Sequence, residues 1–289
     1  MSNLHTIFKE LSANQQGNIF YYPNGGNAGD ALIDMGFYTP AQQFNLKFSL
    51  ISQDKIGQLK DNDIVLIGGG GCLVPEWNST PNFLKSLINL KLKLKLIILP
   101  HSIRGIDDLI SNLPEGSIIF CREKYSFEYC QNISNAKAVY LADDMAFCIN
   151  PAQILTSNPH FKIRLSSKNI IRKILINFHR LRALFTSQIN AMRTDKESNQ
   201  NLNVKRSLAN DLSLVASFGT DNYQASLYSA KQFLKLINLY EEIKTDRLHV
   251  AVGAYLLNKK LSIYNNGYYK CKGVYEQSMS YSNNVTFIE

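Results

Sequence analysis

The sequence DIVLIGGGG at residues 63–71 indicates the fold class of the chain. After Asp63 comes a continuous apolar run, which is typical of a strand buried on both faces of a parallel sheet. The glycines that follow let the backbone turn and approach a ligand at the carboxyl edge of such a sheet. The pattern therefore predicts an α/β protein with ligands at the carboxyl ends of its strands. A tight loop without a ligand is the alternative interpretation of the glycines alone.

Working outward from this stretch, apolar strand-like runs alternate with helical stretches. In the first half we predict strands at Ile19–Tyr22, Asp63–Ile67, Lys93–Leu99, Ser117–Cys121 and Ala138–Leu141, and helices at Thr80–Ile88 and Lys124–Gln131. In the second half we predict strands at Leu214–Phe218 and Leu261–Tyr264, and helices at Ser226–Leu239 and Val250–Leu257. Such alternation implies parallel sheets whose faces are covered by helices.

The charge of the chain is unevenly distributed along its length. The 289 residues carry a formal net charge of +8, and residues 151–210 hold eleven Lys and Arg residues against two acids. The polar stretch 194–201 has the composition of a loop. We therefore predict an N-terminal domain at residues 1–150, a basic amphipathic linker region at 151–192 and a C-terminal domain at 193–289.

The basic segment has the pattern of an amphipathic helix. Apolar residues recur at steps of three and four positions, namely Ile171, Ile174, Phe178, Leu181, Phe185 and Ile189. The other face of the predicted helix carries the basic residues Arg172, Lys173, Arg180 and Arg182. One interpretation is an interdomain helix whose apolar face packs on a domain. The other is docking on an anionic membrane surface. No nucleic-acid partner is expected, because the basic residues are not interleaved with aromatic residues on a known nucleic-acid module.

A second glycine-containing stretch, YPNGGNAGD at residues 22–30, lies between a strand-like run and a helical run. It lacks the G-x-G-x-x-G pattern, because Asn27 occupies the second glycine position. Residues 68–73 lack it too, because Leu73 occupies the third. The fingerprint of dinucleotide-binding proteins is therefore absent.

Near the C-terminus, the sequence TDRLH at residues 245–249 precedes an apolar run of helical length. Thr245 and Asp246 are favoured N-cap residues, which places Arg247 and His249 in the first turn. Arg offers a planar fork to a phosphate or carboxylate, and His offers a proton near neutral pH. The alternative is a surface ion pair of Arg247 with Asp246 or Glu242, and a merely hydrogen-bonded His249.

These stretches together resemble the polysaccharide pyruvyl transferase family, from about Phe20 to about Glu276. The resemblance rests on the order of six motifs: GNAGD at 26–30, GGGG at 68–71, LPHSI at 99–103, CREKYS at 121–126, DDMAF at 143–147 and TDRLH at 245–249. The chain has His101 where the family often has Gln, and residues 158–188 match no part of the pattern. The resemblance implies two Rossmann-like domains that face each other across a cleft, in a glycosyltransferase-B-like fold.

The resemblance also implies an activity. A pyruvyl group would pass from phosphoenolpyruvate, a co-substrate rather than a cofactor, to a sugar of a capsule or exopolysaccharide precursor, forming a pyruvate ketal. Donor-binding residues would be Arg122, Arg247, Leu248, Gly69 and Gly70.

The implied acceptor-binding residues are Asn27, Gly29 and Asp30. His249 would protonate the methylene carbon of the donor, as general acids do in catalysis. Asp30 would accept a proton from the sugar hydroxyl, orient the sugar, or only cap the next helix. The segment MRTDKE at 192–197, which contains Arg193, resembles a motif at the start of the family's second domain.

Two other functions remain open at this stage. One is a nucleotide-sugar-dependent glycosyltransferase of the same fold, and the other is a non-catalytic subunit of polysaccharide assembly. No metal is expected, because no His, Cys and carboxylate cluster has ligand spacing.

The location follows from composition and from the ends of the chain. The five cysteines include no C-x-x-C pair, and no apolar run approaches the roughly 20 residues that span a bilayer. The first ten residues lack the charged start and apolar core of a signal peptide. We expect a cytoplasmic protein that meets a sugar or lipid-linked oligosaccharide acceptor, with peripheral contact with the inner membrane surface as an option.

Overall fold

The computed structural model describes residues 3–13, 17–195, 197–198 and 206–289. The chain divides into two compact units. Unit 1 comprises residues 1–24 and 36–148, and unit 2 comprises residues 25–35 and 149–289. The segment 25–35, which contains most of the second glycine stretch, therefore belongs to the same unit as the C-terminal half of the chain.

Unit 1 is built around one parallel sheet with the order β2-β1-β3-β5-β6-β7, and β4 pairs with β5. Its strands are β1 Ile19–Tyr22, β2 Ser49–Leu50, β3 Ile64–Ile67, β4 Gly70–Leu73, β5 Lys95–Ile103, β6 Ile118–Cys121 and β7 Ala138–Leu141. The helices of the first half are α1 Asn3–Ala13, α2 Ala28–Gln43, α3 Ser79–Asn89, α4 Asp107–Ser111 and α5 Lys124–Ile133. Of these, α2 begins in the segment 25–35 and continues in unit 1.

The central strands of unit 1 form its core. All four residues of β3 and all four of β6 are buried. Burying an aliphatic side chain of this size contributes roughly 1.5–3 kcal/mol, so a continuous apolar run is stable only inside such a sheet. The rings of Tyr21 on β1 and Phe37 on α2 stack with their centroids 3.6 Å apart. The apolar run after Asp63 is thus a central strand, as the sequence predicted.

Unit 2 contains a second parallel sheet with the order β11-β10-β9-β8. Its strands are β8 Gln188–Asn190, β9 Glu242–Thr245, β10 Lys260–Tyr264 and β11 Val285–Ile288. Its helices are α6 Pro151–Thr156, α7 Ser167–Arg182, α8 Leu212–Val215, α9 Tyr223–Asn238, α10 Leu248–Leu256 and α11 Lys270–Ser278.

One predicted strand of unit 2 is wrong. Residues 214–218 do not form a strand, because Leu212–Val215 is a single helical turn, with the Leu214 and Val215 amides donating to the Asp211 carbonyl at 3.0 Å each. A short apolar run does not distinguish a buried strand from a buried helical turn. The first strand of this sheet is instead β8, which lies within the predicted linker region.

The amphipathic helix also differs from its prediction. α7 ends at Arg182, and Ile189 lies in β8. The predicted apolar residues that lie in α7, Ile171, Ile174, Phe178 and Leu181, are exposed, while the buried residues of the helix are Ile176 and His179. The interpretation in which the apolar face packs on a domain is therefore wrong, because the buried side of α7 is the opposite one.

Two further predictions concern the loop at 194–201 and the arrangement of the two domains. Within the predicted loop 194–201, residues 196 and 199–201 lie outside the described residues. The two facing domains and the glycosyltransferase-B-like arrangement stay predictions. None of the helices in the described part of the chain is long and apolar enough to cross a membrane.

Candidate functional site

In unit 1, Arg122 follows β6 and is almost completely buried. Its Nη1 donates to Oδ2 of Asp144 at 2.6 Å, and its Nε donates to the Ser102 hydroxyl at 2.9 Å. The Asp144 carboxylate also accepts from the Ala146 amide at 2.8 Å. Arg122 therefore pairs with the nearby acid Asp144, and this pair holds its guanidinium in one orientation.

The glycines after β3 are organised by His101. The amides of Cys72 and Leu73 approach His101 Nε2 to 3.0 and 3.3 Å, so Nε2 is the acceptor. Nδ1 then carries the proton and donates to the Gly68 carbonyl at 3.1 Å. The imidazole is neutral in this arrangement and bridges β5 to the glycine stretch. Sequence reasoning missed this function, although His101 lies in one of the motifs.

Close packing explains the first of these glycines. A Cβ at Gly68 would lie 2.9 Å from the Tyr22 carbonyl oxygen and 3.0 Å from the Asn24 amide nitrogen. Both are backbone atoms, so neither can move aside at low cost. The Asn24 side-chain amide donates to the Gly69 carbonyl. The stretch is therefore not a simple loop: its second half, from Gly70, pairs with β5 as β4.

In unit 2, the residues Asn27 and Asp30 form a reciprocal cap at the start of α2. The Asn27 side chain accepts from the Gly29 amide at 2.8 Å. The Asp30 carboxylate reaches back and accepts from the Asn27 amide, also at 2.8 Å. The capping role that the sequence offered for Asp30 is therefore present.

Asp30 is also close to His249, which lies in the first turn of α10. The two helix starts meet at Gly29, where a Cβ would lie 2.8 Å from both Cβ and Nδ1 of His249. Burial raises the pKa of Asp30, and the nearby His249 opposes this rise more than any other group does. The Asn27 amide, Lys270 and Arg247 oppose it further. This corner thus joins a carboxyl of raised pKa to an imidazole from the other end of the sequence.

The start of α10 differs from the prediction for Thr245 and Asp246. Arg247 is the N-cap residue, and the Thr245 hydroxyl accepts from its amide at 3.0 Å. Asp246 does not cap the helix because its carboxylate binds the Arg193 amide at 2.7 Å and the Arg206 Nη1 at 2.7 Å.

The Arg247 side chain is buried and ion-paired. Its Nε and Nη2 bind the Asp211 carboxylate at distances of 2.5–3.1 Å. Its Nη1 lies 2.9 Å from Oδ2 of Asp195. The predicted surface pair with Asp246 or Glu242 is wrong, since the partners come from the loops before α8.

A second group of charges surrounds this pair. Arg193 binds Asp195 through Nε at 2.8 Å and Glu197 through Nη1 at 2.6 Å, and Lys270 also binds Glu197. Burial alone would lower the pKa of Arg193, but the Glu197 and Asp195 carboxylates raise it above its ordinary value. The acids Asp195, Glu197 and Asp211 were missed from the sequence. For Asp195 and Glu197 the signal was their position beside Arg193, in a segment otherwise poor in acids.

The predicted site residues therefore fall into two groups. Unit 2 brings together Asn27, Gly29, Asp30, Arg247, Leu248 and His249. Unit 1 holds Arg122, Gly69 and Gly70 at the carboxyl ends of β3 and β6.

Two negative observations apply to the described residues. No group of three or more His, Cys, Asp and Glu side chains among them is arranged to hold a metal ion. A cavity of 1270 Å³ in unit 1 lies at the opposite, amino ends of the strands, and none of the predicted site residues lines it.

Comparison with known proteins gives the family. No curated protein matches significantly. A crystal structure of a functionally uncharacterized protein from Klebsiella pneumoniae subsp. pneumoniae NTUH-K2044 is similar, with 29% sequence identity, a TM-score of 0.75 and coverage of 100% of both chains. The family model described as polysaccharide pyruvyl transferase matches residues 9–267. The chain therefore belongs to the polysaccharide pyruvyl transferase family, and is a transferase that moves a pyruvyl group onto a polysaccharide.

Proposed function

We propose that this transferase takes its pyruvyl group from phosphoenolpyruvate and attaches it as a ketal to a sugar of a cell-surface polysaccharide precursor. The single observation that carries the proposal is the corner of unit 2 where Gly29, Asp30 and His249 adjoin. Residues more than two hundred positions apart in the sequence supply an imidazole and a carboxyl at two neighbouring helix starts. A helix N-terminus favours anions, and phosphoenolpyruvate carries two anionic groups.

In unit 2, Arg247 and Leu248 would bind the donor. A donor-binding role is proposed separately for Arg122, Gly69 and Gly70 of unit 1. Both arginines are oriented by buried carboxylates, Asp211 and Asp144. Fixed guanidinium groups bind carboxylates and phosphates with two parallel hydrogen bonds. The paired carboxylate reduces the net positive charge that each arginine offers to the donor. It also fixes the arginine side chain beforehand, so that donor binding removes less side-chain entropy.

The chemistry would begin with a proton from His249. Protonation of the methylene carbon turns it into a methyl group and leaves positive charge at C2 of the donor. A sugar hydroxyl then adds to C2 and gives its proton to Asp30, whose raised pKa makes it a better proton acceptor than an exposed aspartate. Asp30 passes this proton to the phosphate, which leaves with the ester oxygen as its bond to C2 breaks. The second hydroxyl of the sugar then adds to C2, and its proton returns to His249, so that both residues regain their starting states.

The acceptor would lie against Asn27, Gly29 and Asp30 and would be a sugar or a lipid-linked oligosaccharide. We place the reaction in the cytoplasm as part of the same proposal. What supports this is that all five cysteines are unbridged, which is typical of a reducing compartment.

The test is titration calorimetry with phosphoenolpyruvate and, separately, with nucleotide sugars. Binding of phosphoenolpyruvate alone supports the proposal, and binding of a nucleotide sugar in its place would contradict it. Released phosphate and the methyl signal of a ketal are then followed by NMR with candidate sugars. The variant His249→Asn should retain donor binding and lose at least about 10²-fold in turnover. His160→Asn is the matched control, because His160 is exposed.

A further inference from the structure

The side of α7 that faces solvent is apolar. Seven residues of α7 and the turn after it form this surface, here called the α7 apolar face: Ile170, Ile171, Ile174, Phe178, Leu181, Leu184 and Phe185. Each is between 48% and 88% exposed. Apolar residues scattered singly on a surface are ordinary, but a contiguous row on one side of a helix marks an interaction surface.

Polar contacts hold the opposite side of α7 in unit 2. His179 is fully buried, with Nδ1 2.7 Å from the Tyr240 hydroxyl and Nε2 2.7 Å from the Ala209 carbonyl oxygen. Arg172 donates to the Leu214 carbonyl at 3.3 Å, and Arg182 donates to the Asn210 side chain at 2.9 Å. The helix therefore cannot rotate to bury its apolar residues without breaking these bonds.

Basic residues border the α7 apolar face. Lys173 and Arg180 are exposed and lie seven positions apart, so they share one flank of the helix. Lys168 and Arg164 are exposed at its N-terminal end. The sequence contains no Asp or Glu between Asp144 and Asp195.

We propose that the α7 apolar face docks on an anionic lipid bilayer, with the helix parallel to the membrane plane. Apolar residues enter the boundary between headgroups and acyl chains, while Lys and Arg bind the anionic headgroups. Charge complementarity selects this partner. A second copy of the chain would pair the face with itself across a twofold axis and bring Lys173 and Arg180 near their own equivalents, with no acid in the segment to compensate. The surface is independent of the donor and acceptor proposed above.

The experiment is cosedimentation of the full chain with vesicles of phosphatidylglycerol and phosphatidylcholine, or of phosphatidylcholine alone. We expect binding to the anionic vesicles and a steep loss with added salt, because exposed charges are screened beyond about 8 Å at physiological ionic strength. The double variant Lys173→Glu/Arg180→Glu should lower the partition coefficient by about 30-fold or more, since each cation near the headgroups contributes about fivefold. Lys47→Glu/Lys85→Glu makes the same change of charge at exposed lysines of unit 1 and should have little effect.

The apolar contribution is tested separately. Phe178→Ser/Phe185→Ser should lower the partition coefficient at least about tenfold, while the unfolding temperature changes little because Phe178 is 48% and Phe185 88% exposed. Tyr281→Ser is the matched control, since Tyr281 is 92% exposed and lies outside α7. Absence of wild-type binding to anionic vesicles at low salt would overturn the proposal. A wild-type dimer in sedimentation equilibrium that Phe178→Ser/Phe185→Ser converts to monomer, without vesicle binding, would overturn it in favour of a second copy.

Discussion

Gly29 lies against the imidazole of His249, so closely that a Cβ at position 29 would be 2.8 Å from its Nδ1. The contact joins the start of α2 to the start of α10. His249 can therefore hold its present position only if residue 29 has no side chain.

Gly29→Ala should therefore displace His249 and lower turnover by at least about tenfold, as small misplacements of reacting groups do. Alanine favours helix formation by up to about 1 kcal/mol over glycine, so thermal stability should fall little despite the clash. Gly25→Ala is the matched control in the same stretch, because its Cβ meets nothing within 4 Å. Equal turnover in the two variants would show that the contact between Gly29 and His249 has no effect on the reaction. The measurement is steady-state phosphate release together with thermal unfolding.

Asp30→Asn should change stability in a pH-dependent way. Burial raises the pKa of Asp30 above the value of 3.8 that applies to the unfolded chain. Between the unfolded and folded pKa values the folded state binds more protons, so the wild type loses stability as pH rises through this window. Asparagine does not titrate, so the free energy of unfolding of the variant should gain on the wild type as pH rises from about 4 and then level off. Chemical unfolding at a series of pH values measures this, and a constant difference would contradict it.

Arg122 and Asp144 should show strong coupling in a double-mutant cycle. Both side chains are nearly inaccessible, so Arg122→Met leaves a buried carboxylate uncompensated and should cost about 3–5 kcal/mol. Adding Asp144→Leu should restore much of this loss, because a buried ion pair can often be replaced by apolar residues. Urea unfolding of the four proteins gives the coupling energy. If the restored double variant also binds phosphoenolpyruvate normally, Arg122 is structural and not a donor ligand.

Arg247→Lys keeps the charge but loses the planar fork that binds Asp211. We expect the affinity for phosphoenolpyruvate to fall about tenfold or more and the free energy of unfolding to fall by about 1–3 kcal/mol. Arg206→Lys is the control, since Arg206 binds Asp246 through Nη1. Calorimetry and urea unfolding of both variants test this. An unchanged affinity in Arg247→Lys would limit the role of Arg247 to the ion-pair network.

His179 should make the protein less stable in acid. Burial is the largest cause that lowers its pKa below 6.5, and Arg182 adds to this effect. The unfolded chain therefore binds more protons in this window, so stability is complete above about pH 6.5 and is lost as pH falls towards the folded pKa. His179→Gln should have lower stability at pH 7.5 and lose less of it between pH 6.5 and 5. Parallel slopes for the wild type and the variant would exclude His179 as the cause.

Local sequence patterns predicted much of the fold. The runs at Ile19–Tyr22, Ile64–Ile67 and Ile118–Cys121 are strands, and the helix predicted at Ser226–Leu239 is observed at Tyr223–Asn238. Buried strands and long periodic helices can be predicted in this way because their patterns are contained in neighbouring residues. Residues 214–218 were mistaken for a strand because a short apolar run fits both a strand and a helical turn such as Leu212–Val215.

The sequence by itself determined the order of the motifs, and with it the family and the residue types available for catalysis. Only the tertiary structure decided that Asp195 and Asp211 orient Arg247, that segment 25–35 belongs with the C-terminal half, and that α7 turns its apolar side outward. Side-chain partners far apart in the chain are selected by burial and distance, which a linear pattern does not contain. The orientation of α7 depends on whether Tyr240 and the Ala209 carbonyl are placed to bind His179, and that is a property of the folded unit.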